Sequence, residues 1–325
     1  MRALRLQPRK PIVGMIGLGI MGSAMAKALI AADFRVIGTD IRATRRRWLQ
    51  RAGGSGLASC GTVASNAEVL ITSLPTVAAL DQVVAEIALA CERSRKSQRE
   101  LLVIETSTLP IADKKRAMSS LKRVGVSMID CPISGTARRM KEGGWTIFVS
   151  GRSNLCKRGK SIFDAFSRNA PYVGAFGNGS KMKFIANHLV AIYNVSIGES
   201  MTFARRMGLD PHQVWALLAA SPVVGNGVFR LRGKLMVERR YRPATMKVDV
   251  WQKDMQVIGD MARSVGCPIP LFAACIPVYN AAMAQGFGQH DTASVCEVLG
   301  GMAGGKFSRR KTAGTRLSPQ STASQ

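Results

Sequence analysis

The chain has 325 residues, 46% of them hydrophobic, a length that exceeds one ordinary domain and a composition that can fill real cores. No uninterrupted apolar run is long enough to span a bilayer, and the basic start, residues 1–10, runs into a short strand rather than a signal-peptide core, which predicts a soluble cytoplasmic protein. The formal net charge of +26 is high for a small-molecule enzyme and raises a polyanion partner as a rival reading, but four of those charges lie in residues 1–10 and five in 306–325.

The first predicted element is the apolar run Ile12 to Ile16, read as a strand. The glycine-rich turn Gly17-Leu18-Gly19-Ile20-Met21-Gly22 follows it directly, and a helical segment, Ser23 to Ala32, follows the turn. Strand, G-x-G-x-x-G and helix in that order form a dinucleotide-binding fingerprint. Gly17 serves the tight turn, Gly19 the close approach of backbone to pyrophosphate, and Gly22 the packing of helix on strand. The helix N-terminus then offers unpaired N–H groups to the phosphates. A second strand, Arg35 to Thr39, ends at Asp40, 23 residues after Gly17, where an acid can bond the adenosine ribose. That acid favours NAD, although Arg42, Arg45 and Arg46 close behind it leave NADP in contention.

Further strands are expected at Val69 to Ser73, Leu101 to Thr106, Ser127 to Cys131 and Thr146 to Ser150, with a weaker one at Pro171 to Val173. Their alternation with helical segments predicts an α/β class: a Rossmann-type doubly wound parallel sheet over residues 11–178. After Gly177-Asn178-Gly179 the pattern changes. Lys181 to Met207 is apolar on nearly every face and reads as a long buried helix. Asp210-Pro211 opens another helix, Trp251, Met255 and Ile258 recur at helical spacing, and Pro270 to Gln285 is helical with Pro277 inside it. Residues 179–304 thus form an all-helical substrate and dimerisation domain. Residues 305–325 are a flexible basic tail without the apolar content to order itself.

The seven cysteines are an odd number, scattered without a C-x-x-C pair, and His188, His212 and His290 lie far apart, so reduced thiols and no metal site are expected. Lys183 and Asn187, four residues apart, share one face of the long helix beside its entry loop. In a cleft, an ammonium next to a positive nicotinamide has its acidity raised, as proton transfer near neutral pH requires. From the residues alone the pair stays open between chemistry and ordinary helix surface.

Here the residues resemble the β-hydroxyacid dehydrogenases, the family of 3-hydroxyisobutyrate dehydrogenase, tartronate semialdehyde reductase and L-threonate dehydrogenase. The likeness runs from about Pro11 to Met302. It rests on the turn and its continuation to Ala26, on Asp130-Cys131-Pro132-Ile133-Ser134-Gly135-Thr136, on Gly177-x-Gly179-x-x-x-Lys183-x-x-x-Asn187, on Lys253-Asp254, and on Gly286-x-Gly288-x-x-Asp291. The resemblance implies NAD(P)-dependent hydride transfer with a short 3-hydroxy acid. Lys183 would be the general acid/base, Asn187 would hold the substrate, and Ser134, Gly135 and Thr136 would bind its carboxylate. Ser73-Leu74-Pro75 and Thr106-Ser107 would line the cofactor path, and Lys253 would close the cleft at the nicotinamide end. A homodimer or homotetramer is implied as well. Thr136 and the pair Arg138-Arg139 depart from the small residues many relatives carry there; Thr136 leans toward the threonate branch. Six basic residues between 221 and 247 could face the substrate. Two rival readings stand beside this one. An imine reductase usually carries a residue other than lysine at position 183, and a nucleic-acid-associated protein on a reductase-like fold would explain the charge. A phosphogluconate dehydrogenase has a much longer helical region.

Overall fold

A computed structural model describes residues 9–93, 100–136 and 144–304. The N-terminal extension up to residue 8, residues 94–99, the pair Arg138-Arg139 and the tail from 305 lie outside the described residues.

The apolar runs become six parallel strands: β1 (Val13–Ile16), β2 (Val36–Thr39), β3 (Ser55–Gly56), β4 (Val69–Thr72), β5 (Leu102–Glu105) and β6 (Ser127–Asp130). Their order across the sheet is β3-β2-β1-β4-β5-β6. The order reverses between β1 and β4, and the crevice at the carboxyl ends of those strands is where such sheets bind ligands. In β1, β2, β4 and β5 all four residues are buried, because helices cover both faces of the sheet. Val13 and Met15 pack with Met25 and Leu29 of α1 (Ile20–Ala31) on one face. Leu70 and Val103 pack on the other with α3 (Cys60–Asn66), α4 (Val77–Arg93) and α5 (Ile111–Arg123). Between the faces lies the period-two alternation of a strand. Helix α2 (Ala43–Arg51) flanks β2 and β3.

Beyond the sheet, β7 (Ile133–Ser134) and β8 (Thr146–Ile147) form a short antiparallel pair, followed by α6 (Ser153–Arg158) and α7 (Lys160–Asp164). The strand expected over Thr146 to Ser150 is shorter than that. After Ile147 the chain makes only single bridges, Val149 to Tyr172 and Ser150 to Asp130, before Gly151 turns it away with φ +140°.

The long helix α8 (Asn178–Arg206) begins three residues earlier than the sequence pattern suggests. Gly177 takes a left-handed φ of +97° at its N-cap, so Asn178 and Gly179 join the first turn instead of remaining a loop. Around α8 pack α9 (Pro211–Ala220), a π-helical turn at Phe229–Gly233, α10 (Lys234–Val237), α11 (Val248–Ser264), α12 (Pro270–Ala284), a 3₁₀ turn at Thr292–Ser294 and α13 (Val295–Met302). They share a core that includes Ala191, Met201, Trp251, Met255, Phe272 and Tyr279. The apolar residues of α8 are not all in that core, contrary to expectation. Met182, Ile185 and Leu189, with Phe203 further along, face outward, Ile185 at 60% and Phe203 at 64% exposure. A helix with an apolar stripe on the side away from its own core lacks an internal partner there.

Candidate active site

Two constructions meet at the carboxyl edge of the sheet. The first is made of backbone. Gly17 turns the chain with φ +89°, and its N–H donates to the Thr39 carbonyl at 3.0 Å. A methyl at Gly22 would overlap the Gly17 carbonyl, so helix and turn close on each other only with glycine there. Gly19 differs: a Cβ at that position meets nothing nearer than Arg45 Nη1, at 3.9 Å. The protein itself does not need that glycine; the open space in front of it does. No side chain caps α1 at Gly19 and no acid lies in its first turn, which leaves the helix N-terminus to an anionic guest.

Asp40 sits beside this turn and is nearly buried. Its Oδ2 accepts the Leu18 N–H at 2.8 Å and Arg45 Nη1 at 3.0 Å, and its Oδ1 accepts the Arg42 N–H at 2.9 Å. The carboxylate therefore ties the glycine turn to β2 and also holds Arg45 at the rim. A carboxylate has about four acceptor positions, so capacity for a ribose hydroxyl is left. The loops after β4 and β5 continue the path: Thr106 Oγ1 donates to the Thr72 carbonyl at 2.7 Å, and the Leu74 N–H donates to Ser107 Oγ at 2.8 Å. An uncapped helix end, an unfilled space at Gly19 and a ribose-side acid fit a nicotinamide dinucleotide.

The second construction is made of side chains. Gly179 lets the first turn of α8 seat directly on the end of β6, where a Cβ would lie 2.8 Å from the Asp130 carbonyl and 3.0 Å from Pro132 Cδ. This contact places α8 beside the Ser134–Thr136 segment. One turn on, Lys183 and Asn187 are both buried. Burial pushes the Lys183 ammonium down to a pKa of about 8; Asp254 opposes the shift and Lys253 adds to it. Asn187 Nδ2 donates to Asp254 Oδ2 at 2.8 Å, and Lys253 Nζ lies 2.9 Å from Asp254 Oδ1. Lys253 also donates to the Thr108 carbonyl, spanning from α11 to the loop after β5.

Asp254 is the residue that sequence reasoning missed as a functional group, although it stands next to Lys253 in the quoted pair. The available signal was its phase. It lies three residues after Trp251 and one before Met255, on the buried stripe of α11, where an acid is out of place unless partnered. Its bond to Nδ2 fixes which way the Asn187 amide faces. Ser134 belongs to the β7–β8 pair, Gly135 takes φ +140° against Trp145, and the Thr136 hydroxyl is buried with no partner among the described residues.

The basic run between 221 and 247 is largely occupied elsewhere. Arg232 is buried against Asp291, which also accepts from Thr245, and Arg239 pairs with Glu297. Asp291, the last residue of the late glycine signature, therefore anchors the helical domain. Burial raises its pKa, but Arg232 and the N–H donors of Ala293 and Thr245 outweigh that and hold it below the usual carboxylate range. His188 stacks on Phe272 with ring centroids 5.3 Å apart.

Sheet order, glycine turn and a buried lysine on the first helix of an all-helical domain define a nicotinamide-dependent oxidoreductase. Residues 12–174 match the family model of the NAD binding domain of 6-phosphogluconate dehydrogenase, and residues 177–299 that of the NAD-binding domain of NADP-dependent 3-hydroxyisobutyrate dehydrogenase. The chain is 30% identical to L-threonate dehydrogenase of Cupriavidus necator over 292 residues, covering 89% of this chain and 96% of that one. It is 27% identical to human mitochondrial 3-hydroxyisobutyrate dehydrogenase, covering 89% and 87%. A crystal structure of 3-hydroxyisobutyrate dehydrogenase from Salmonella typhimurium superposes with a TM-score of 0.79 at 25% identity, over 88% of this chain and 99% of that one. The chain belongs to the β-hydroxyacid dehydrogenase family, and it is an NAD(P)-dependent enzyme acting on CH–OH groups. Among the described residues no helix is long and apolar enough to cross a membrane.

Proposed function

We propose that the enzyme oxidises a short 3-hydroxy acid of the threonate, 3-hydroxyisobutyrate or tartronate semialdehyde type, and reduces the corresponding oxo acid, with Lys183 as the general acid/base. The observation that carries this reading is the buried Lys183, one turn from Asn187, in a group with Asp254 and with Lys253, whose Nζ reaches the loop after β5. The nicotinamide, when bound, supplies the hydride acceptor or donor. The rest falls to the chain's own residues.

In oxidation, neutral Lys183 takes the hydroxyl proton at Nζ; in reduction, its ammonium returns that proton to the carbonyl oxygen. Asp254 holds the Asn187 amide by one N–H, leaving the carbonyl oxygen and second N–H of that amide for substrate. Ser134, the Gly135 backbone and the Thr136 hydroxyl, which has no partner among the described residues, serve the carboxylate end, so that both ends of a short acid are fixed. The 30% identity to an L-threonate dehydrogenase agrees with Thr136 in favouring the threonate branch.

The boundary between nucleotide and helical domains falls at residue 178, and the outward stripe of Met182, Ile185, Leu189 and Phe203 supports a homo-oligomer. Seven free cysteines suit a reducing, cytoplasmic setting. Arg45, Arg116, Arg158, Arg232 and Arg239 are all engaged in internal ion pairs, which weakens a nucleic-acid role.

Lys183→Ala tests the assignment. Turnover falls by about 10²-fold or more while cofactor affinity holds, because the group lost acts in proton transfer. A variant that keeps its turnover removes lysine from the mechanism.

A further inference from the structure

Between the two constructions lies a charged cluster that the reaction does not use. Lys114 of α5 is fully buried, as are Asp130 at the end of β6 and Glu105 at the end of β5. Lys114 Nζ donates to Asp130 Oδ1 at 2.8 Å and to Ser180 Oγ at 3.1 Å, and it lies 3.9 Å from Glu105 Oε1. The cluster has two arms. Toward the cofactor path, Glu105 accepts from the Thr72 hydroxyl and, at 2.6 Å, from the Ser107 N–H, and Ser107 Oγ in turn accepts from the Leu74 N–H. Toward the lysine helix, Asp130 accepts from the Ser180 N–H at 2.8 Å and from the Ser180 hydroxyl at 2.9 Å; Ser150 Oγ accepts from the Gly179 N–H at 3.0 Å. Ser180 lies one turn before Lys183 on α8, and both side chains are buried on that helix.

One ammonium set between two carboxyl groups, away from water, is a poor device for stability alone, since a well-packed apolar group of like volume often does as well. What it does supply is direction: each group accepts partners only at defined angles, and a shift of either arm leaves a buried charge unpaired. We propose that Lys114 is a positioning residue for the reaction, fixing the first turn of α8, and so Lys183, relative to the loops that line the cofactor path. The proposal rests on Lys183 being the proton-transfer group. Through Asp130 and Ser180, Lys114 sets where the lysine helix starts; across the cluster it faces Glu105, which holds the Ser107 and Leu74 loops.

Three variants read this out: Ser180→Ala, Ser180→Thr and Lys114→Met, each assayed for kcat, for KM of the hydroxy acid, for reduced-cofactor affinity by fluorescence and for Tm. Ser180→Ala removes one hydroxyl from a helix interior and leaves the ion pair intact, so it folds. Its kcat is expected to fall about tenfold, with cofactor affinity within about twofold, since small misplacements of reacting groups are costly. Ser180→Thr, which keeps the hydroxyl, restores most of that loss. Lys114→Met lowers kcat further and also weakens cofactor binding, because both arms lose their shared cation. If Lys114→Met does not fold, the Ser180 pair decides. Unchanged kcat in Ser180→Ala, or in Lys114→Met with only a lowered Tm, overturns the inference and leaves the cluster a structural one. Lys183→Ala measured in parallel separates the two readings: full turnover there removes the lysine mechanism, whereas its loss beside an unchanged Ser180→Ala removes only the positioning role.

Discussion

The nucleotide crevice and the lysine site lie side by side but are built by different means. The crevice is built of backbone, and glycines shape it by what they lack. The lysine site is built of four side chains from two helices, and the Asn187–Asp254 contact joins positions 67 residues apart. A backbone site tolerates almost no added volume. A side-chain site tolerates volume but not a change in charge.

The sharpest way to break the first half of that comparison is Gly22→Val. The Cβ would overlap the Gly17 carbonyl, so α1 must withdraw from the turn. Loss of measurable cofactor binding is expected, seen as absent quenching in a titration with NADH; normal binding would mean that the turn does not hold the phosphates.

The second half is sharpened by Asp254→Asn. With Lys183 as the proposed base, oxidation uses its neutral form, so kcat is expected to rise with pH through about 8 and level above it, while kcat for reduction falls over the same range. Asp254 is the influence that raises the Lys183 pKa against burial, so the neutralised variant moves both limbs to lower pH. Turnover at the plateau also drops, by about tenfold, because the acceptor-only carboxylate that orients Asn187 becomes an amide able to present either its oxygen or its NH2. A pH profile left in place would remove Asp254 from the electrostatics of the site.

The smallest effect concerns the choice of cofactor. Wild type is expected to prefer NAD, since Asp40 can take ribose hydroxyls and repels a 2′-phosphate. Asp40→Ala frees Arg45 from its 3.0 Å pair and shifts the kcat/KM ratio toward NADP. A wild type favouring NADP would show that Arg45 already outweighs the acid.

The sequence made the crevice legible because its signals are local: an apolar strand, a glycine turn and an acid at fixed spacing occupy one stretch of chain. Lys183 and Asn187 were legible as a pair because four residues on a helix share a face. Asp254 and the Lys114 cluster were not, since their partners come from other elements and no spacing rule connects Lys114 to Asp130 or Ser180. Strand ends also escaped. Thr146 to Ser150 reads as one strand, but beyond Ile147 its partners change from β7 to Tyr172 and Asp130, which leaves only single bridges. The outward stripe of α8 reads as core because residue type alone cannot tell an apolar face turned to the core from one turned outward.

The seat of α8 on β6 has a consequence for how the molecule can be divided. The change from sheet to helices comes where α8 begins, at Asn178. The energetics do not follow that line, because Asp130, with nothing of its own exposed, completes its bonding only with Ser180 from the far side. A fragment ending at 178 would keep Lys114 and Ser150 on Asp130 but lose both Ser180 donors, and Lys114 would have one fewer acceptor. The two parts differ in topology, but the buried bonds between β6 and α8 are expected to couple their melting, so that Ser180→Ala lowers the unfolding temperature of both.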